Sequence, residues 1–170
     1  MTPRYAFLMV EYETPSFIKD LWKEIPDREV FTSDEPYNHY GLERESHITI
    51  VPCLDNDVDK ERIKELAGKL SDYKALLTNI SVFNCEEYDV LKCDAESELI
   101  HATNKRIRNE FETHSEYDGH YHPHMTIGYL KKGMADKYKK DVLPVLKVLE
   151  PVRFILSYYE DGKEKKVTWK

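Results

Sequence analysis

The sequence predicts one α+β domain. Three observations predict it. Short β-branched or alternating apolar runs are interleaved with segments of helical periodicity. No linker or shift in composition divides the 170 residues, which suffice for one core or for two small lobes sharing one. A short pattern, histidine–apolar–threonine–isoleucine, occurs twice, in SHITIVP and PHMTIGY, each time on a strand-like stretch. That repeat fits two similar lobes within residues 1–170, each giving one central strand.

The elements follow in order. YAFLMVE (5–11) is an apolar run of strand length ending at a Thr-Pro break. SFIKDLWKEI (16–25) places Phe17, Ile18, Leu21, Trp22 and Ile25 at helical spacing, with Ser16 as its expected cap. Residues 26–46 hold turn formers and scattered charges and read as a long ordered loop with room for one short strand. SHITIVPCL (46–54) alternates and is β-branched, so a strand is predicted. DVDKERIKELAGKL (57–70) is an amphipathic helix with Ile63, Leu66, Ala67 and Leu70 on one face. ALLTNISVFNC (75–85) and EYDVLKCDAES (87–97) read as two tightly connected strands. SELIHATNKRIRNEFETH (97–114) is helical, with Leu99, Ile100, Thr103, Ile107 and Phe111 inward. Residues 123–130 form another strand, KKGMADKYKKDV a basic loop, and PVRFILSYY and KKVTW a hairpin about Asp161-Gly162.

Composition excludes several classes of function. Charged residues make up 34% and hydrophobic residues 41%, a soluble globular balance. The net charge of −7 argues against wrapping long nucleic acid, although a small nucleotide needs only local positive charge. No apolar run reaches the length of a membrane span, and MTPRYAFLMVEYE lacks the apolar centre of a secretory signal. Cys53, Cys85 and Cys93 form no CxxC and are odd in number, so free thiols in a reducing, cytoplasmic setting are expected.

The two tetrads carry the chemistry. Side chains on a strand alternate faces, so His47 and Thr49 share one face, as do His124 and Thr126. If the strands are neighbours, two imidazoles and two hydroxyls converge. One histidine can take a proton from an attacking hydroxyl while the other protonates a leaving oxygen. The threonines can hydrogen-bond oxygens that gather charge. A single His-x-Thr is weak evidence, but two such tetrads arise by chance in roughly one chain per thousand of this size.

These tetrads resemble those of the 2H phosphoesterase superfamily. The wider wording, YGLERESHITIVPCL, EYDVLKCDAES and YHPHMTIGYLKKGMADKY, is similar to the phage anti-CBASS phosphodiesterase branch over residues 40–138. The chain departs from that branch at HITIVPC, where a tyrosine-glycine would follow the first tetrad. The resemblance implies a two-lobed fold whose antiparallel sheets form a central cleft flanked by helices. It implies a metal-independent phosphodiesterase without cofactor whose substrates are bacterial cyclic di- and trinucleotide signals. A ribose 2′-hydroxyl would attack its neighbouring 3′–5′ phosphodiester, leaving a 2′,3′-cyclic or a 3′ phosphate and disarming the host's defence. By resemblance, Tyr12 and Trp169 line the ligand pocket.

Tyr121 and His122 are expected at the rim of the pocket, and Tyr40 shapes it from the loop before His47. Each of the 12 tyrosines has core or surface packing as its ordinary role. His120 and His122 could join His124 as a metal triad, but Pro123 spoils the alternation this needs, so no metal is expected. The lysines of KKGMADKYKK read as a solvated loop, with one or two available to steer an anion. Glu43 and Glu45 read as exposed, either able to orient a histidine. Three further readings stay open: an enzyme of RNA ends or 2′,3′-cyclic nucleotides, a nucleotide sponge that does not cut, and a zinc hydrolase. Oligomeric state and the roles of the individual histidines are not legible.

Overall fold

Strand propensity and turn chemistry give eleven regular elements in a computed structural model, which describes residues 4–34, 39–115, 120–143 and 146–170. In chain order they are β1 (Ala6–Tyr12), α1 (Ser16–Glu24), β2 (His47–Leu54), α2 (Lys60–Ala67), β3 (Ala75–Asn84), β4 (Tyr88–Glu96), α3 (Glu98–Glu110), β5 (His124–Lys131), β6 (Val148–Leu149), β7 (Pro151–Glu160) and β8 (Lys163–Trp169). The strands form one sheet in the order β6-β3-β4-β5-β2-β1-β7-β8. Every described pairing is antiparallel.

The centre of this sheet is unusual. β2 and β5 meet at the single pair Ile48–Met125. Beyond it the edge of β5 is taken by the chain leading into β2. The Tyr129 N–H donates to the Gly41 carbonyl and the Glu43 N–H to the Ile127 carbonyl, each at 2.9 Å. Gly128 permits this crossing, because a Cβ there would lie 2.8 Å from Leu42 Cδ2 and 3.3 Å from the Gly41 oxygen. Two four-stranded halves therefore share one rung.

Register and burial identify the core face. Directly paired residues point to the same side of a sheet. The row Trp169, Phe154, Val10, Ile48, Met125, Cys93 runs across six strands. Its middle members, Phe154, Val10, Ile48, Met125 and Cys93, are fully buried. The helices lie on this face: Asn104 of α3 donates to the Ile50 carbonyl at 2.8 Å, and Trp22 of α1 donates through Nε1 to the Ile127 carbonyl at 3.0 Å. Position 47 and its alternates face the other way.

Local chemistry sets most boundaries. Asp59 caps α2 through the Arg62 N–H, and Gly68 ends it at a positive φ of 76°. Ser97 caps α3 through the Ile100 N–H. Asp161 and Gly162, both at positive φ, close the β7–β8 hairpin as expected. Two expectations are corrected, and a third holds. Ser16 is the first residue of α1 and not its cap; Pro15 holds that position and its carbonyl takes the Ile18 and Lys19 amides. α3 ends at Glu110, short of the expected 114; Leu99 and Phe111 are half-buried against the core as expected, and polar Asn104 is buried. Residues 26–46 are a loop as expected: among those described they hold a 3-10 turn at Asp27–Glu29 and isolated bridges at Val30 and Leu42, with residues 35–38 outside the described set.

Candidate active site

His47 opens β2 and His124 opens β5, each on the face away from the helices. In both strands the histidine and threonine are half-exposed, while Ile48, Ile50, Met125 and Ile127 between and beyond them are buried. The Ile48–Met125 rung brings the two openings together. Antiparallel register about it sets His47 toward Thr126 and Thr49 toward His124. The four residues of the two tetrads thus share one patch at the seam.

The two histidines are held alike. Nδ1 of His47 lies 2.8 Å from the Glu45 carbonyl, and Nδ1 of His124 lies 2.9 Å from the His122 carbonyl. A carbonyl only accepts, so each Nδ1 carries the proton and donates. In the neutral ring, Nε2 is then the free base; in the charged ring, it is the acid. Glu45 orients His47 through its backbone, not its carboxylate, and His122 contributes a carbonyl as well as a rim side chain. The segments bearing these carbonyls are pinned. Ser46 is buried and hydrogen-bonds Thr14 at 2.8 Å; Pro123 accepts from the Ala95 amide at 2.9 Å.

Each histidine also faces an acid on the outer neighbouring strand. Glu11 of β1 pairs with His47, and Asp94 of β4 with His124. Each acid is bound to a cation, Glu11 to Arg153 and Asp94 to Lys92. Lys92 lies beside Thr126 in register and is 4% exposed. Burial pushes the His124 pKa below the ordinary value. The His122 carbonyl and Asp94 act against this, whereas Lys92 and His47 add to it. The neutral form of His124 is therefore favoured. The sequence signal for Lys92 and Asp94 was their alternation on the tetrad-facing side of EYDVLKCDAES, legible only once β4 is known to flank β5.

The outer candidates fare differently. Tyr121 donates its hydroxyl to the Thr49 carbonyl at 2.6 Å, tying the lead-in of β5 to β2 beside the tetrads. Burial raises its pKa, so the hydroxyl remains protonated. His122 is exposed at the rim. Tyr12 is 2% exposed on the core face, its hydroxyl given to the Tyr73 carbonyl, and offers no ring to a base. Trp169 belongs to the core-face row and stacks on Phe154 at 5.2 Å, on the opposite side of the sheet from His47. Tyr40 packs with Phe31, Tyr88 and Tyr129, at the far end of β4 and β5.

Two lysines of the basic loop are occupied with structure. Lys132 binds the Cys85 carbonyl and Asp89, and Lys137 binds buried Glu29. Among the described residues the one group of side chains spaced for a metal is Asp55, Glu112 and His114, at a separate surface place where Leu54 bridges Thr113; His120, His122 and His124 do not gather into such a set. No described helix is long and apolar enough to cross a membrane.

Comparison with known proteins agrees with this fold. A structure of E. coli LigT complexed with 3′-AMP superposes with a TM-score of 0.52 at 15% identity, covering 99% of this chain and 96% of that one. A second structure, of a phosphoesterase, gives 0.50 at 15%, covering 99% and 97%. The TT0787 protein of Thermus thermophilus gives 0.50 at 19%, covering 97% and 94%. At such identities these likenesses speak for the fold. No curated protein sequence matches. The model of the 2'-5' RNA ligase superfamily matches residues 17–157, which include both tetrads, and the chain belongs to that superfamily, the 2H phosphoesterases.

Proposed function

We propose that this protein is a phosphodiesterase that opens cyclic di- and trinucleotide signals by attack of a ribose 2′-hydroxyl on the adjoining 3′–5′ phosphodiester. The observation that carries the reading is the pair of Nδ1–carbonyl bonds, which present two Nε2 atoms on one face of the seam. Neutral His124 takes the 2′-hydroxyl proton at Nε2. His47, protonated, returns a proton to the 5′ oxygen as the phosphorus–oxygen bond breaks and a 2′,3′-cyclic phosphate forms. The Thr49 and Thr126 hydroxyls donate to the non-bridging oxygens, where charge gathers. Every proton and bond in this sequence is handled by side chains and substrate, so the chemistry runs without a metal.

The resemblance of residues 40–138 to the anti-CBASS branch supports a cyclic substrate, and the net charge of −7 disfavours long RNA. The family to which the chain belongs favours a second reading, cleavage at RNA ends or of 2′,3′-cyclic nucleotides. One chromatography experiment separates them. The protein in EDTA is incubated with 3′–5′ cyclic di- and trinucleotides, a 2′-deoxy analogue and short linear RNA. The cyclic ligands should be cut and the 2′-deoxy analogue spared. His47→Ala and His124→Ala should each lower the rate by about 10²–10⁴-fold. Intact cyclic ligands beside cleaved RNA would move the enzyme to the second reading, and retention without cleavage would make it a sponge.

A further inference from the structure

Beside His124, strands β3 and β4 wall a cavity of about 550 Å³, within the usual range for small-molecule sites. Asn79, Ser81, Phe83, Lys92, Asp94 and His122 line it. Three of its polar groups, Lys92, Ser81 and Asp94, form one network. Lys92 Nζ donates to Ser81 Oγ at 2.6 Å and to Asp94 Oδ1, and the Ser81 hydroxyl donates to Asp94 Oδ1 at 3.0 Å. Burial pushes the Asp94 pKa up, but Lys92, Asn79 and Ser81 outweigh it and hold the carboxyl below its usual range. Asp94 is thus an ionised acceptor, with 36% of its side chain still exposed. Above it sits Phe83, its ring centroid 4.1 Å from Lys92 Nζ and 5.2 Å from the His124 ring. Phe83 is 40% exposed, an apolar ring left open at the edge of a polar cavity.

We propose that this cavity is a nucleobase pocket that takes an amino-bearing base (adenine, cytosine or guanine) in preference to uracil. Phe83 is its stacking face and Asp94 accepts from the exocyclic amine. The proposal rests on the reading of this protein as an enzyme of nucleotides. An aromatic face stacks on any base, so Phe83 supplies affinity without choice. A carboxylate can only accept, so Asp94 supplies the choice. Uracil presents carbonyl oxygens on either side of its one ring N–H, and these meet the carboxylate unfavourably. Lys92 keeps Asp94 charged and places a cation against the Phe83 ring.

Binding can be measured apart from cleavage. Calorimetric titration with adenosine, cytidine, guanosine and uridine 3′-monophosphates uses ligands with no 5′ ester to cut. The amino-bearing three should bind wild-type protein at least about fivefold tighter than the uridine form. Phe83→Ala and Phe83→Leu, both at an exposed position, should weaken all four roughly tenfold. Asp94→Asn should narrow the gap to uridine. Equal affinity for all four bases, unchanged affinity in both Phe83 variants, or no binding by the wild type would each overturn the pocket. Cleavage of cyclic substrates without Phe83-dependent binding would remove the pocket and leave the catalytic reading standing. Phe83-dependent binding without any cleavage would do the reverse.

Discussion

The histidines of this site differ in what surrounds them, not in how they are held. Both give Nδ1–H to a carbonyl two residues back. His124 alone has a buried lysine on the next strand that helps to depress its pKa. The base must be neutral, so the acid limb of the kcat/KM profile should fall below the ordinary histidine range, and activity should be lost as pH drops through it. Lys92→Met removes a charge that lowers the His124 pKa and leaves Asp94, which raises it, without its cation. The limb should then shift to higher pH, as measured from kcat/KM across pH 4–9. An unmoved limb would mean that Lys92 does not act on the base. Tyr121 makes a different kind of contribution. Its hydroxyl bond to the Thr49 carbonyl fixes the approach of one tetrad to the other. Tyr121→Phe should cost about 0.5–1.5 kcal/mol in stability. It should also lower kcat more than it raises KM, because the bond orients the catalytic strands and not the ligand.

Strand β5 shows how an element can serve two partners along its length. Its opening meets β2, and its later residues take the chain at 41–43. Gly128 is the hinge of that exchange, since a methyl group would press on Leu42 and the Gly41 carbonyl. Gly128→Ala should destabilise by about 1–3 kcal/mol, read from urea unfolding. Adding Leu42→Ala should cost less than the sum of the two single changes, because the shortened side chain relieves part of the clash. Periodicity and turn residues made most elements legible: Asp161-Gly162 named its hairpin, and the tetrads named their strands. The seam was not legible. Whether His47 and His124 lie side by side is decided by pairing between residues 77 apart, which no local pattern reports. The same blindness explains the misplaced aromatics. The resemblance put Tyr12 and Trp169 in the ligand pocket, but alternation from buried Val10 and register with buried Phe154 put them on the core face. Phe83 passed unnoticed because its exposure depends on where β3 lies relative to β5.

At the scale of the whole molecule, two halves joined by one backbone rung could fold separately or together. Side chains decide this. The buried cluster runs without interruption from Leu77, Ile80 and Leu91 through Met125 and Ile48 to Val10 and Phe154, so apolar packing crosses the seam that backbone bonding barely spans. Met125 is the pivot: fully buried, paired with Ile48 on one side and Cys93 on the other. A core shared in this way should melt as one unit. Scanning calorimetry of the wild type should show a single transition, with calorimetric and van't Hoff enthalpies in agreement. Met125→Ala should lower stability by about 2–5 kcal/mol and move the whole transition, because the cavity it leaves lies in contact with both halves. Two transitions, of which only one moved, would show that the halves are separate folding units. The tetrads would then be assembled by docking rather than by folding. Their activity should in that case fall well below the first melting temperature, instead of tracking the loss of structure as a shared core requires.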